Sequence, residues 1–163
     1  MRFGEDVDFS YRVAEGNYST AFFQDAWVYH KRRNTFRTFF KQVFNSGIAR
    51  IHLSIRHKGT LKLVHLLPTA FFRGSLFLIL IALVALFINP IFSLIAISPL
   101  ILFSVIIFLD ALRQGRGVKV ALLSIATSFI QLIGYGSGLV IGWWNIIIKG
   151  NKNYAAFRKN FYK

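Results

Sequence analysis

Two long apolar runs dominate the chain. Residues 74–109 contain only three strongly polar or helix-breaking positions, Asn89, Pro90 and Pro99, and residues 120–148 contain no charged side chain. At about 1.5 Å rise per residue, the first run would cross a hydrocarbon core of roughly 30 Å nearly twice. Pro68 suits a first helical turn, so the pattern predicts one span over 68–88. Asn89-Pro90 ends it, and 91–109 forms a second span with a possible kink at Pro99. So short and uncharged a link permits only a tight turn, and the two helices make a hairpin. The second run is too short for two crossings of roughly 17 residues each. It predicts one span over 120–148, with re-entry near its glycines as the alternative. Gly134, Gly138 and Gly142 recur every fourth residue and form a small-residue ridge suited to close helix packing. Trp143, Trp144 and Lys149 then suit a membrane interface.

Upstream of the spans the period changes. After a cap at Asn34 or Thr35, Phe36, Phe39, Phe40, Val43 and Phe44 recur at helical spacing, with Arg37 and Lys41 on the other face. Ile48, Ile51 and Ile55 continue the stripe beyond Gly47. An aromatic stripe opposed by cations, with no acid, predicts a helix lying in the headgroup plane. A helix packed on a core is the alternative. Nearer the start, Glu5–Glu15 reads as a short helix with acids in its first turn and a stop at Gly16-Asn17. Thr20–His30 alternates as a strand would. One helix and one strand enclose no core, so residues 1–33 read as the edge of a domain whose remainder lies elsewhere. Interfacial helices over 34–66, a membrane region over 67–149 and a basic tail over 150–163 follow.

Charge sharpens this division. Five of the six carboxylates lie in the first 25 residues, whereas Lys31–Arg73 holds 10 of the 20 Lys and Arg and no acid. Basic segments that flank apolar spans meet anionic lipid headgroups before nucleic acid, so membrane lipids are the expected partner and nucleic acid is not. The positive-inside tendency places 31–73 and 113–119 in the cytoplasm, in an inner (cytoplasmic) membrane. With no cysteine, disulfides, zinc thiolates and thiol nucleophiles are excluded.

Few residues could carry chemistry. Glu5 and Asp6 could supply a general base, or simply complement a helix dipole. His30 reads as a metal ligand or a hydrogen-bonded structural histidine. Lys31-Arg32-Arg33 could hold a diphosphate or meet lipid phosphates. Ser, His and Asp occur, but no arrangement suggests a nucleophilic triad.

GEDVDFSYR, then a short segment ending AWVYHKRR, then FFKQVFNSGIAR and apolar spans, resembles the C-terminal half of a membrane-associated family 2 glycosyltransferase. The resemblance covers most of the chain by order of features, and its specific part lies between Gly4 and Arg50. It implies a GT-A edge of one helix and one strand, interfacial helices, and about three transmembrane helices. It also implies inverting sugar transfer from a nucleotide-sugar to a lipid-linked or surface glycan acceptor. Asp6 would be the base and Glu5 would help position the acceptor. Arg32 or Arg33 would contact the donor diphosphate, and His30 would help hold a divalent Mg or Mn ion. Phe36, Phe40, Gln42 and Phe44 would form the interfacial helix. The polymerising members' Gln-x-x-Arg-Trp motif is replaced here by Gln42-Val43-Phe44-Asn45-Ser46, which points to transfer of a single sugar. No segment matches the family's nucleotide-binding half with its Asp-x-Asp motif. The resemblance therefore implies a piece of a longer enzyme, or a subunit whose partner chain carries that half, inactive by itself. The competing expectation is a non-enzymatic scaffold or complex subunit that uses the glycine ridge to bind partner helices.

Overall fold

The computed structural model describes residues 3–29 and 35–156. It is mainly helical: α1 (Glu5–Glu15), α2 (Phe36–Arg56), α3 (Leu67–Leu86), α4 (Pro90–Arg113) and α5 (Gly117–Trp143). A 3₁₀ turn at Leu63–Leu66 leads into α3, and α5 runs on through a π turn at Trp144–Ile148. Local chemistry sets most of the boundaries. Thr35 caps α2 by accepting the Thr38 amide at 3.3 Å. Asn89 caps α4 by accepting the Ile91 amide at 2.8 Å, with Pro90 in the first turn. Between α4 and α5, Gly115 (φ 69°) and Gly117 (φ 75°) take left-handed backbone that a side chain would strain.

The helix expected over Glu5–Glu15 forms over those residues, and the apolar runs give three helices long and apolar enough to cross a membrane. Their bounds differ slightly from 68–88, 91–109 and 120–148. α4 runs on to Arg113 and α5 begins at Gly117, so the basic link between them is shorter than expected. Most large side chains on α3 and α4 are exposed, among them Leu76, Phe77, Leu80, Leu94, Ile95 and Leu102. Such surfaces suit lipid, not water.

The strand expected over Thr20–His30, and with it a GT-A edge of helix plus strand, is not formed; His30 itself lies outside the described residues. Among the described residues there is no strand at all. A turn at Gln24-Asp25, with the Ala26 amide bonded to the Phe23 carbonyl at 3.2 Å, interrupts the alternation. A strand needs a neighbour to pair its backbone groups, and none is present among the described residues.

The helical stripe of α2 also finds a different partner from the one expected. It lies along α5 instead of facing headgroups. Phe40 and Val43 meet Gly134, Phe44 meets Gly138, and Ile48 meets Gly142. These contacts advance together along both helices, so α2 and α5 run in the same direction, four residues in step. Phe44, Ile48 and Ile51 are buried there with Leu139 and Ile146. Each such side chain contributes about 1.5–3 kcal/mol relative to exposure in water. The ridge of Gly134, Gly138 and Gly142 thus packs a helix, as its spacing suggests, and that helix is the chain's own α2. Gly47 completes the fit from the α2 side, where a methyl group would strike the Tyr135 carbonyl. Gly136 similarly admits Pro68 and Phe72 of α3. Phe71, Phe103 and Phe129 form an aromatic cluster that ties α3, α4 and α5 together, with ring centroids 5.0–5.7 Å apart.

Candidate functional site

The acidic helix is fastened to the C-terminal end of α2. On α1, Asp8, Tyr11, Arg12 and Glu15 fall at helical spacing and share one face. Opposite them stand Arg56, the last residue of α2, and His57 just beyond it. His57 Nε2 donates to Asp8 Oδ1 at 2.9 Å, and Nδ1 donates to Glu15 Oε1 at 2.6 Å. Arg56 donates to Asp8 Oδ2 at 2.8 Å, with Arg12 Nε 3.6 Å from the same oxygen. The Tyr11 ring leans on the imidazole with centroids 5.0 Å apart. Asp8 and His57 are both buried, each 5% exposed.

Both imidazole nitrogens face carboxylate oxygens, so both must carry hydrogen, and His57 is an imidazolium. Its hydrogen bond to Asp8, and then that to Glu15, raise its pKa above the ordinary 6.5 against the opposing effect of burial. The bond from His57 holds the Asp8 pKa below 3.8; burial opposes this and Arg56 and Arg12 assist. So saturated a carboxylate is a poor base. The cluster is a lock that fixes α1 on α2.

The lock responds to pH. His57 binds its proton more tightly folded than unfolded, so its contribution is complete below about 6.5 and fades as pH rises through the elevated folded value. Asp8 releases its proton more readily folded, so its contribution is complete above about 3.9 and fades as pH falls toward its depressed value. Docking of α1 is therefore strongest in the window between these limits. Hydrogen-exchange protection of the α1 amides, corrected for intrinsic rates, is expected to fall as pH rises from mildly acidic to alkaline. His57→Ala is expected to remove that protection at every pH while leaving α3–α5 helical. Protection that ignores both pH and the substitution would refute the lock.

The lock was missed at the sequence level. Asp8 reads as one more acid in a first helical turn, and His57 as part of a basic stretch facing lipid. The available signal was complementarity: four of the six acids sit on one short helix, whereas Lys31–Arg73 has none.

Glu5 and Asp6 lie one turn before the lock. Both are exposed, and neither carboxylate makes a hydrogen bond or ion pair among the described residues. Only the Asp6 backbone carbonyl is engaged, accepting from the Ser10 hydroxyl at 2.9 Å. Docking of α1 therefore holds these two carboxylates one helical turn before the Asp8 contact with Arg56 and His57 at the end of α2. His30, Arg32 and Arg33 lie outside the described residues. Among the described residues no group of three His, Asp or Glu is arranged to hold a metal ion. Phe36 is exposed, Phe40 half-buried, Gln42 exposed and Phe44 buried, so the four do not form one surface. Gly134, Gly138 and Gly142 stand apart from the acidic helix, beneath α2.

Architecture and site define a mainly helical protein with three helices long and apolar enough to cross a membrane and an acidic helix fastened to the end of α2. Compared with family models, curated proteins and solved structures, the chain matches none.

Proposed function

We propose that the chain is the membrane-side part of an inverting glycosyltransferase of the family 2 type. It works in the inner (cytoplasmic) membrane with its acidic helix toward the cytoplasm. Asp6 is the base that takes the proton from an acceptor hydroxyl as it attacks the anomeric carbon of a nucleotide-sugar, and Glu5 orients that hydroxyl. The acceptor is a lipid-linked or surface glycan at the membrane face. His30 would help hold a divalent Mg or Mn ion, which with Arg32 or Arg33 would supply positive charge to the departing diphosphate. The donor-binding half belongs to the same longer polypeptide or to a partner chain.

One observation carries the reading: an acidic helix is fixed by Asp8, Glu15 and His57 to the helix that leads into the spans, with Asp6 left unpaired. A carboxylate that served only the helix dipole would need no such anchorage. The exposed aromatics Phe22, Phe23 and Trp27 of the irregular segment after α1 support it too. They offer a surface for the rest of a catalytic domain to cover. Against the scaffold reading stands the filled glycine ridge, whose closest contacts are all taken within the chain. Joined in frame to a family 2 donor-binding half, the chain is expected to transfer sugar to a membrane acceptor. Asp6→Asn tests the assignment, and undiminished transfer would remove Asp6 from the role.

A further inference from the structure

A groove of about 560 Å³ opens where the outer face of α2, the π turn after α5 and the segment 152–155 meet. Its lining combines apolar Ile48, Ile55 and Ile146 with polar Asn45, His52, Arg56 and Lys152. Among the described residues no acidic side chain lines it. The volume lies in the range of small-molecule sites.

Asn45 is the informative residue. It is 1% exposed, and neither its amide nitrogen nor its amide oxygen has a hydrogen-bond partner among the described residues. A primary amide brings two donors and an acceptor with two lone pairs, and burial without partners is unfavourable. Nearby groups are already engaged. His52 Nε2 donates to the Tyr154 carbonyl at 2.9 Å, which pins the segment 152–155 across the groove. One Arg56 nitrogen is held by Asp8 at 2.8 Å. The unpartnered amide thus lines the groove with both its donor and its acceptor unmet among the described residues.

We propose that this groove binds a phosphate ester bearing free hydroxyls, such as a polyol phospholipid headgroup or a soluble polyol phosphate. The phosphate oxygens accept from Lys152 and from the Arg56 nitrogens turned away from Asp8. A ligand hydroxyl can both donate to and accept from Asn45, which a bare phosphate dianion cannot. Ile48, Ile55 and Ile146 take the carbon skeleton. A zwitterionic headgroup brings its own cation against Lys152 and Arg56 and is disfavoured. The site does not depend on Asp6 or on the glycosyltransferase reading.

The test uses the full chain, purified in mild detergent and exposed to an equimolar mixture of phosphatidylglycerol and phosphatidylcholine. Bound lipid is then quantified by mass spectrometry. Phosphatidylglycerol is expected to be retained over phosphatidylcholine by about tenfold, the size of one charge-assisted hydrogen bond. Asn45→Leu removes the unpaired amide at similar volume, so it is expected to fold at least as well, as circular dichroism can verify, yet to lose most of that preference. Lys152→Ala is expected to do the same. Lys119→Ala, a cation outside the groove, is expected to leave it unchanged. A parallel arm adds glycerol 3-phosphate to delipidated protein. A rise in melting temperature that Asn45→Leu abolishes identifies a soluble ligand of the same chemistry, whereas lipid retention without that rise identifies the membrane lipid. No preference in either arm, or a preference that survives Asn45→Leu or falls equally with Lys119→Ala, overturns the proposal. The amide would then be met by water alone.

Discussion

Asp6→Asn, in a chain joined to a donor-binding half, is expected to slow sugar transfer by about 10²–10⁴-fold, the usual contribution of a positioned general base. Asn keeps the size and hydrogen-bonding reach of the side chain and removes only the capacity to take a proton. The loss should therefore fall on turnover, with acceptor KM little changed. Asp8→Asn provides the contrast. Asp8 is engaged by His57 and Arg56 and cannot accept a substrate proton, so its replacement should act by loosening α1. Reduced transfer in that variant should come with lost exchange protection in α1, whereas Asp6→Asn should leave protection intact. Equal loss of protection in both would mean that Asp6 is merely structural.

The second large effect concerns the α2–α5 contact. Gly138→Leu is expected to force the two helices apart, because its Cβ would fall on the Phe44 backbone carbonyl, which cannot swing aside as a side-chain tip can. Overpacking a close contact costs about 1–3 kcal/mol and occasionally more. A clash between two backbones belongs at the upper end of that range. Gly74→Leu is the control, since nothing lies within 4 Å of a Cβ built there. Thermal unfolding in detergent should show a clear drop for Gly138→Leu and little change for Gly74→Leu. If the two variants melt together, α2 does not rest on the ridge.

The hairpin break at Asn89-Pro90 and the start of the helix at Asn34 or Thr35 were legible because their causes are local. Thr35, Asn89 and Pro90 act within a turn or two of where they stand, and the apolar runs declare their own lengths. Glu5–Glu15 was readable for the same reason. The failures concern partners distant in sequence. An alternating segment such as Thr20–His30 becomes a strand only if another strand pairs with it, and no local pattern reveals that. The stripe Phe40, Phe44, Ile48 and Ile51 has one appearance whether it meets headgroups, a soluble core or a second helix. What distinguishes these cases is fit. Gly47 on α2 and Gly134, Gly138 and Gly142 on α5 are two halves of one close contact, separated by some ninety residues of chain. The site divides in the same way. Glu5 and Asp6 stood out as a pair, whereas Asp8 acquires its role only from His57, 49 positions away.

The proposed function requires one position: the start of α1, held by His57, at the lipid surface. The chain has no cysteine, so Glu5→Cys places a single spin label at that point without disturbing the lock. With the protein reconstituted in anionic vesicles near pH 6, accessibility to polar and apolar relaxing agents should place the label at headgroup depth. Adding His57→Ala should release it into bulk water. A label already in bulk water with His57 intact, or one whose depth ignores the loss of His57, would contradict the account.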